Sequence, residues 1–92
     1  MLEVKMQSQF KRDIKLAKKR DKKMEKLKTV IDLLVAEKVL DETYNDHALK
    51  GNYIGFRDCH LEPDWLLIYQ IDKSNNLLKL FRTGTHADLF GL

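Results

Sequence analysis

The chain contains one cysteine, one proline and no unbroken apolar run longer than the five residues of WLLIY. Each scarcity excludes something. A lone thiol, Cys59, cannot close an internal disulfide, so a packed core has to hold the fold, and a reducing compartment suits it. The apolar run falls far short of the roughly 20 residues that a membrane span needs. The opening MLEVKM offers no apolar stretch followed by a small-residue cleavage site. The expectation is a cytoplasmic protein with no membrane partner. Gly-rich GxGxxG and P-loop patterns are missing, which leaves nucleotide hydrolysis without support.

What is present describes one small globular domain over residues 1–92, with 43% hydrophobic and 34% charged residues. A chain of this length can build a single modest core but no large cofactor cleft, and no cofactor is expected. The net charge of +3 hides an asymmetry: residues 11–28 carry ten Lys or Arg against Asp13, Asp21 and Glu25, while the remainder is net acidic. Such a run is commonly a solvated helix face; its sharper reading is a surface that meets phosphates or an acidic partner, with Lys18, Lys19, Lys22 and Lys23 at its centre.

Periodicity divides the chain into two halves. LEVKM alternates as a short strand, and Ser8 is placed to cap a helical pattern with Phe10, Ile14 and Ala17 on one side. Met24, Leu27, Val30, Ile31, Leu34 and Val35 continue at helical spacing. An unbroken helix over both stretches would be roughly 43 Å long at 1.5 Å per residue, against about 30 Å for a domain of this size. Two helices are therefore predicted, packed as a hairpin that breaks near Asp21, which can cap the second. After the polar loop LDETYNDHALKGN, the segments YIGFRDCHL, WLLIYQI and LLKLFR read as strands joined by EPD and DKSNN turns. The consecutive apolar positions of WLLIY mark a central strand covered on both faces. The predicted fold is α+β: an N-terminal strand and a two-helix hairpin packed on a curved antiparallel sheet.

Histidines supply the candidate chemistry, and all three lie in the second half: His47 in NDHALKG, His60 in RDCHLEPDW and His86 in RTGTHADLF. His60 ends one strand and Asp64 begins the next across the Pro63 turn, so the two should be near-opposite neighbours. His47 and His86 fall in loops at the sheet's ends, where functional groups collect. Each residue also has a plainer reading. A loop histidine is usually a surface residue or a tie, Asp64 a turn residue, Trp65 core, Cys59 a small buried hydrophobe, Arg82 one half of a salt bridge and Phe90 a cover for the core. Zinc is disfavoured, because Cys59 and His60 point to opposite faces of a strand and there is neither a second cysteine nor HExxH spacing. A Cys–His hydrolase fails for the same reason.

Imidazoles, carboxylates, an arginine and a basic surface suit cleavage of RNA. A base takes the proton of the 2′-hydroxyl as it attacks phosphorus, an acid protonates the departing 5′-oxygen, and a cation stabilises the phosphoryl oxygens. Histidine serves as base or acid near neutral pH, and the forked guanidinium of Arg82 suits a phosphate.

In the blocks NDHALKGNYIGFRDCHLEPDWLLIY and LFRTGTHADLF the chain resembles the YafQ branch of the RelE toxins, with weaker likeness through QFKRDIKLAKKR and KLKTVIDLL. The patterns that carry the resemblance are D-H-x-L-x-G, R-[DE]-x-H-[IL]-x-P-D-W and R-x-G-[TS]-H-x-x-L-F. The resemblance implies a RelE-like fold and a type II toxin–antitoxin toxin that cleaves mRNA in the ribosomal A site without a metal. The implied partners are a DinJ/RelB-like cognate antitoxin, the ribosome and mRNA. By position it implies His47, His60, Asp64 and His86 as the acid–base set, with Asp58, Arg82 and Phe90 also lining the site. The other reading, from a different class, is a ParE-like inhibitor or a nucleic-acid-binding module whose histidines are structural.

Overall fold

The computed structural model describes residues 1–91. The first strand, β1 (Glu3–Met6), leads into helix α1 (Ser8–Lys19), a four-residue turn and helix α2 (Met24–Val35). Each helix buries a stripe, Phe10, Asp13 and Ala17 from α1 and Leu27, Val30 and Leu34 from α2, at the three- and four-residue spacings that place side chains on one face. The break comes where the length argument puts it, with Asp21 in the left-handed region at φ 56°. Both expected caps are corrected. Gln7 occupies the N-cap of α1 and Ser8 is already helical; Lys23 occupies the N-cap of α2, and Asp21 serves the turn because a short polar side chain tolerates that backbone.

The second half forms β2 (His47–Ala48), β3 (Arg57–Glu62), β4 (Trp65–Asp72), β5 (Leu77–Gly84) and the short helix α3 (His86–Phe90). Together with β1 the strands make one five-stranded sheet in the order β1-β5-β4-β3-β2. The α+β architecture is as expected, with an arrangement that pattern does not reveal: β1 crosses over to pair parallel with Leu77–Leu80 of β5, while the other pairings are antiparallel. The YIGFRDCHL segment enters the sheet only at Arg57, since Gly51–Tyr53 forms a 3₁₀ turn and Gly55 sits at φ 93°, where extended pairing cannot continue.

β4 lies at the centre, and every residue from Trp65 to Tyr69 is buried. Its alternate side chains feed two cores. Leu67 and Tyr69 join Cys59, Leu78 and Leu80 against the helices. Leu66 and Ile68 point to the other face, under Leu89 and a cover of aromatic side chains that includes Tyr53, Phe56, Phe81 and Phe90. Double coverage is why the strand reads as a continuous apolar run.

Candidate active site

The pleat of β3 sorts its residues. Cys59 faces the helices fully buried, and burial pushes its thiol above the ordinary range, so it is an inert part of the core. Asp58 and His60 face the opposite way. Register then brings the histidines together. His47, which belongs to the two-residue strand β2 and not to a loop, stands directly opposite Asp58. His60, Leu66 and Gly84 form a row across β3, β4 and β5, so the chain leaving β5 enters α3 with His86 beside His60. The His60 ring lies 5.6 Å from that of His86 and 6.5 Å from that of His47, centroid to centroid. Three imidazoles thus stand in sequence with His60 in the middle.

The two outer rings are fixed through Nδ1. His47 Nδ1 lies 2.7 Å from the carbonyl oxygen of Asn45, an acceptor that requires Nδ1 to carry the proton. His86 Nδ1 lies 2.6 Å from Asp64 Oδ1, which also accepts the His86 backbone N–H at 2.8 Å. These bonds hold the Asp64 carboxyl below its ordinary range, the backbone bond most of all. In both rings Nε2 is left as the atom that can exchange a proton. The expectation that the Pro63 turn pairs Asp64 with His60 is corrected. Pro63 and Asp64 are the two residues of the loop itself, with Glu62 opposite Trp65, so Asp64 projects past the end of β3 and reaches α3.

Asp58 is the buried carboxylate of the group, 4% exposed. Its Oδ2 lies 3.7 Å from His47 Nε2, and Oδ1 has no hydrogen-bond partner among the described residues. Burial raises its pKa, an effect that the three surrounding imidazoles oppose. Arg82 takes the plainer of its two readings in part. Its guanidinium donates to Asp13 from Nε at 2.8 Å and from Nη2 at 3.3 Å, and the same carboxylate accepts the Thr83 N–H. The cause is topological: β1 pairs only as far as Leu80, so Asp13 of α1 takes over beside the later residues of β5. Phe90 packs edge-on against Tyr53, 5.6 Å between centroids, covering the apolar floor of the histidine face.

Two supports carry no expectation from sequence. Asp88 and Thr85 form a reciprocal capping box that starts α3, and Arg20, at the end of α1, donates to Asp88 at 2.6 Å and 3.3 Å. The spacing of Thr85 and Asp88 resembles a capping signature. Arg20 and Asp88 lie 68 residues apart, and no local pattern links them. Asp13 did leave a trace, a charge on the stripe of Phe10 and Ala17, which signals a buried partner. Of the basic side chains, Lys18, Lys19 and Lys23 are exposed, whereas Lys22 lies over the Trp65 ring at 5.8 Å and 3.4 Å from Glu62.

Residues 2–91 match the family model described as "Bacterial toxin of type II toxin-antitoxin system, YafQ". A curated relative from Escherichia coli (strain K12), the mRNA interferase toxin YafQ, is 47% identical over 97% of this chain and 96% of its own length. Among solved structures, the E. coli DinJ–YafQ complex contains a chain 46% identical with a TM-score of 0.90, covering 99% of this chain and 100% of that one. A metal-bound toxin from Helicobacter pylori is 42% identical with a TM-score of 0.92, covering 98% of this chain and 100% of that one. Among the described residues here, no three His, Cys, Asp or Glu side chains come together as metal ligands would.

Proposed function

The chain belongs to the YafQ family of bacterial type II toxin–antitoxin toxins, and on that premise we propose that it is an endoribonuclease that cuts mRNA in the ribosomal A site with the histidine row as its acid–base set. The observation that carries the chemistry is the pair of outer rings tied at Nδ1 on either side of His60, which leaves Nε2 of His86 without a tie among the described residues and Nε2 of His47 3.7 Å from the Asp58 carboxylate.

The reaction needs two proton transfers and one charge stabiliser. One imidazole accepts the 2′-hydroxyl proton as that oxygen bonds to phosphorus. A second, protonated imidazole donates to the 5′-oxygen as its bond to phosphorus breaks, leaving a 2′,3′-cyclic phosphate and a 5′-hydroxyl. His86 is suited to one of these roles because Asp64 fixes its tautomer and orientation. Positioned acid–base groups of this kind contribute about 10²–10⁴-fold each. Arg82, anchored by Asp13 and kept fully charged by it, is the candidate for the phosphoryl oxygens. Asp58 supports the row from beneath, and Phe90 shapes its floor.

The exposed lysines Lys18, Lys19 and Lys23, with Lys22 beside them, fit contact with ribosomal RNA. Neutralisation by a DinJ/RelB-like antitoxin follows from the family and from the E. coli complex. The direct test of the chemistry is to replace the attacking nucleoside of a translated mRNA by its 2′-deoxy form. Cleavage at that bond should stop and persist elsewhere; continued cutting there would mean that water, and not the 2′-oxygen, attacks.

A further inference from the structure

Beyond the histidine row, the chain has a groove of about 580 Å³ that opens on His60. It exists because the edge strand is short. β2 pairs only with Arg57 and Asp58, so among the described residues no strand covers the outer edge of β3 from Cys59 onward, and the 3₁₀ turn Glu42–Tyr44 stands off that edge. Thr43 and Tyr44 line one side, Lys26 and Thr29 of α2 the other, with Glu62 at the end by the Pro63 turn. These walls are fixed. Asp41 caps the 3₁₀ turn by accepting the Thr43 N–H at 2.9 Å, and Tyr44 is half-buried against the helix-side core. Glu62 sits between Lys26 at 2.9 Å and Lys22 at 3.4 Å, and this pairing holds its carboxyl below the ordinary range.

We propose that this groove holds the nucleotide next to the scissile phosphate and sets the base preference of cleavage at that position, an inference that rests on the nuclease reading above. Its volume falls within the range of ligand sites. Its chemistry is that of single-stranded RNA recognition: the Tyr44 ring for a splayed base, the Thr43 hydroxyl for a base edge, and Lys26 for the backbone. His60 is among its lining residues, so a strand lying with its phosphate over His60 and His86 brings the neighbouring nucleotide to the groove. A peptide adding as a strand to the free edge of β3 is the competing occupant. The charged and hydroxyl lining and the opening onto the acid–base row favour RNA.

The test is genome-wide mapping of 5′-hydroxyl ends after induction of the parent, Tyr44→Leu and Thr43→Val, with folding of each variant checked by thermal melting. Thr43 is exposed and its substitution leaves the core untouched. The parent should show a base preference at one position flanking the cut, and both variants should weaken or shift it by at least about fivefold, the scale of one base contact. A parent-like preference in the folded Thr43→Val protein and in any folded Tyr44→Leu protein would overturn the groove assignment alone. So would variants that cut as the parent does but escape antitoxin, which would assign the groove to a peptide. No cleavage by the parent would overturn both the groove and the nuclease reading.

Discussion

Asp58 is held where a carboxylate is costly, buried and with one oxygen unpartnered among the described residues. Its folded pKa is raised, so the proton is bound more tightly in the folded chain, and the penalty it exacts is absent at low pH and grows as pH rises through its folded value. Asp58→Asn, which removes the buried charge, should therefore raise stability at pH 7, and the gain should shrink toward acid pH. The same variant should cut mRNA more slowly; a loss of stability together with full activity would make Asp58 a purely structural residue. Asp64 has the opposite sign. Its pKa is lowered by the two bonds from His86, so those bonds strengthen the fold above the ordinary carboxylate range and are lost as pH falls below it. Asp64→Asn should lower kcat by about 10-fold or more with KM little changed, because tautomer control over His86 is lost and the groove and lysines remain. At this scale the sequence was legible for identity and not for pairing. The blocks single out His47, His60, Asp64 and His86, which the structure gathers, yet hairpin spacing pairs Asp64 with His60 where the structure pairs it with His86. Side-chain reach past a two-residue loop is not encoded in hairpin periodicity.

The smallest helix carries the best-placed histidine. α3 has five residues, too few to be stable alone, and it is held by its capping box, by Leu89 in the lower core and by the Arg20 clamp on Asp88. Asp88 is depressed to about 2, chiefly by Arg20, so its contribution is complete above the ordinary carboxylate range and fades as pH falls through about 2. Asp88→Asn should melt below the parent at pH 7 by about 1–2 kcal/mol, or on the order of 5–10 °C, and the gap in Tm should narrow as pH is lowered from about 4. A gap independent of pH would mean that the ionised carboxylate is not what holds α3. Elements themselves are largely readable: the helix pair from spacing and length, and the central strand from five consecutive apolar residues, all of which are buried. The parallel seat of β1 and the delayed start of β3 were not readable. The first depends on which sheet edge is free after the other strands have paired, and the second on Gly55 and a 3₁₀ turn inside an apolar segment.

Across the whole molecule, charge and chemistry adjoin where α1 ends. The basic residues at the end of α1 and in the turn after it border the acid–base row, where Arg20 clamps α3 through Asp88 and Lys22 lies over Trp65 beside the Pro63 turn. Replacing Lys18, Lys19, Lys22 and Lys23 by Gln should weaken ribosome binding and flatten its salt dependence, since fewer counterions are released; unchanged affinity across a salt titration would remove these lysines from the interface. Whole-molecule likeness to both the E. coli interferase and a metal-bound H. pylori toxin makes the source of catalysis the question to settle. The measurement that bears on it most directly is primer extension on a translated mRNA treated with the purified parent and with His86→Ala, each as purified and after dialysis against a chelator that is removed before the ribosomes are added. The parent should cut equally in both conditions, and the folded His86→Ala protein should leave the mRNA intact. Full cleavage by His86→Ala, or parental cleavage that is lost once the toxin alone has been stripped and returns when metal is given back to it, would contradict acid–base catalysis by the histidine row.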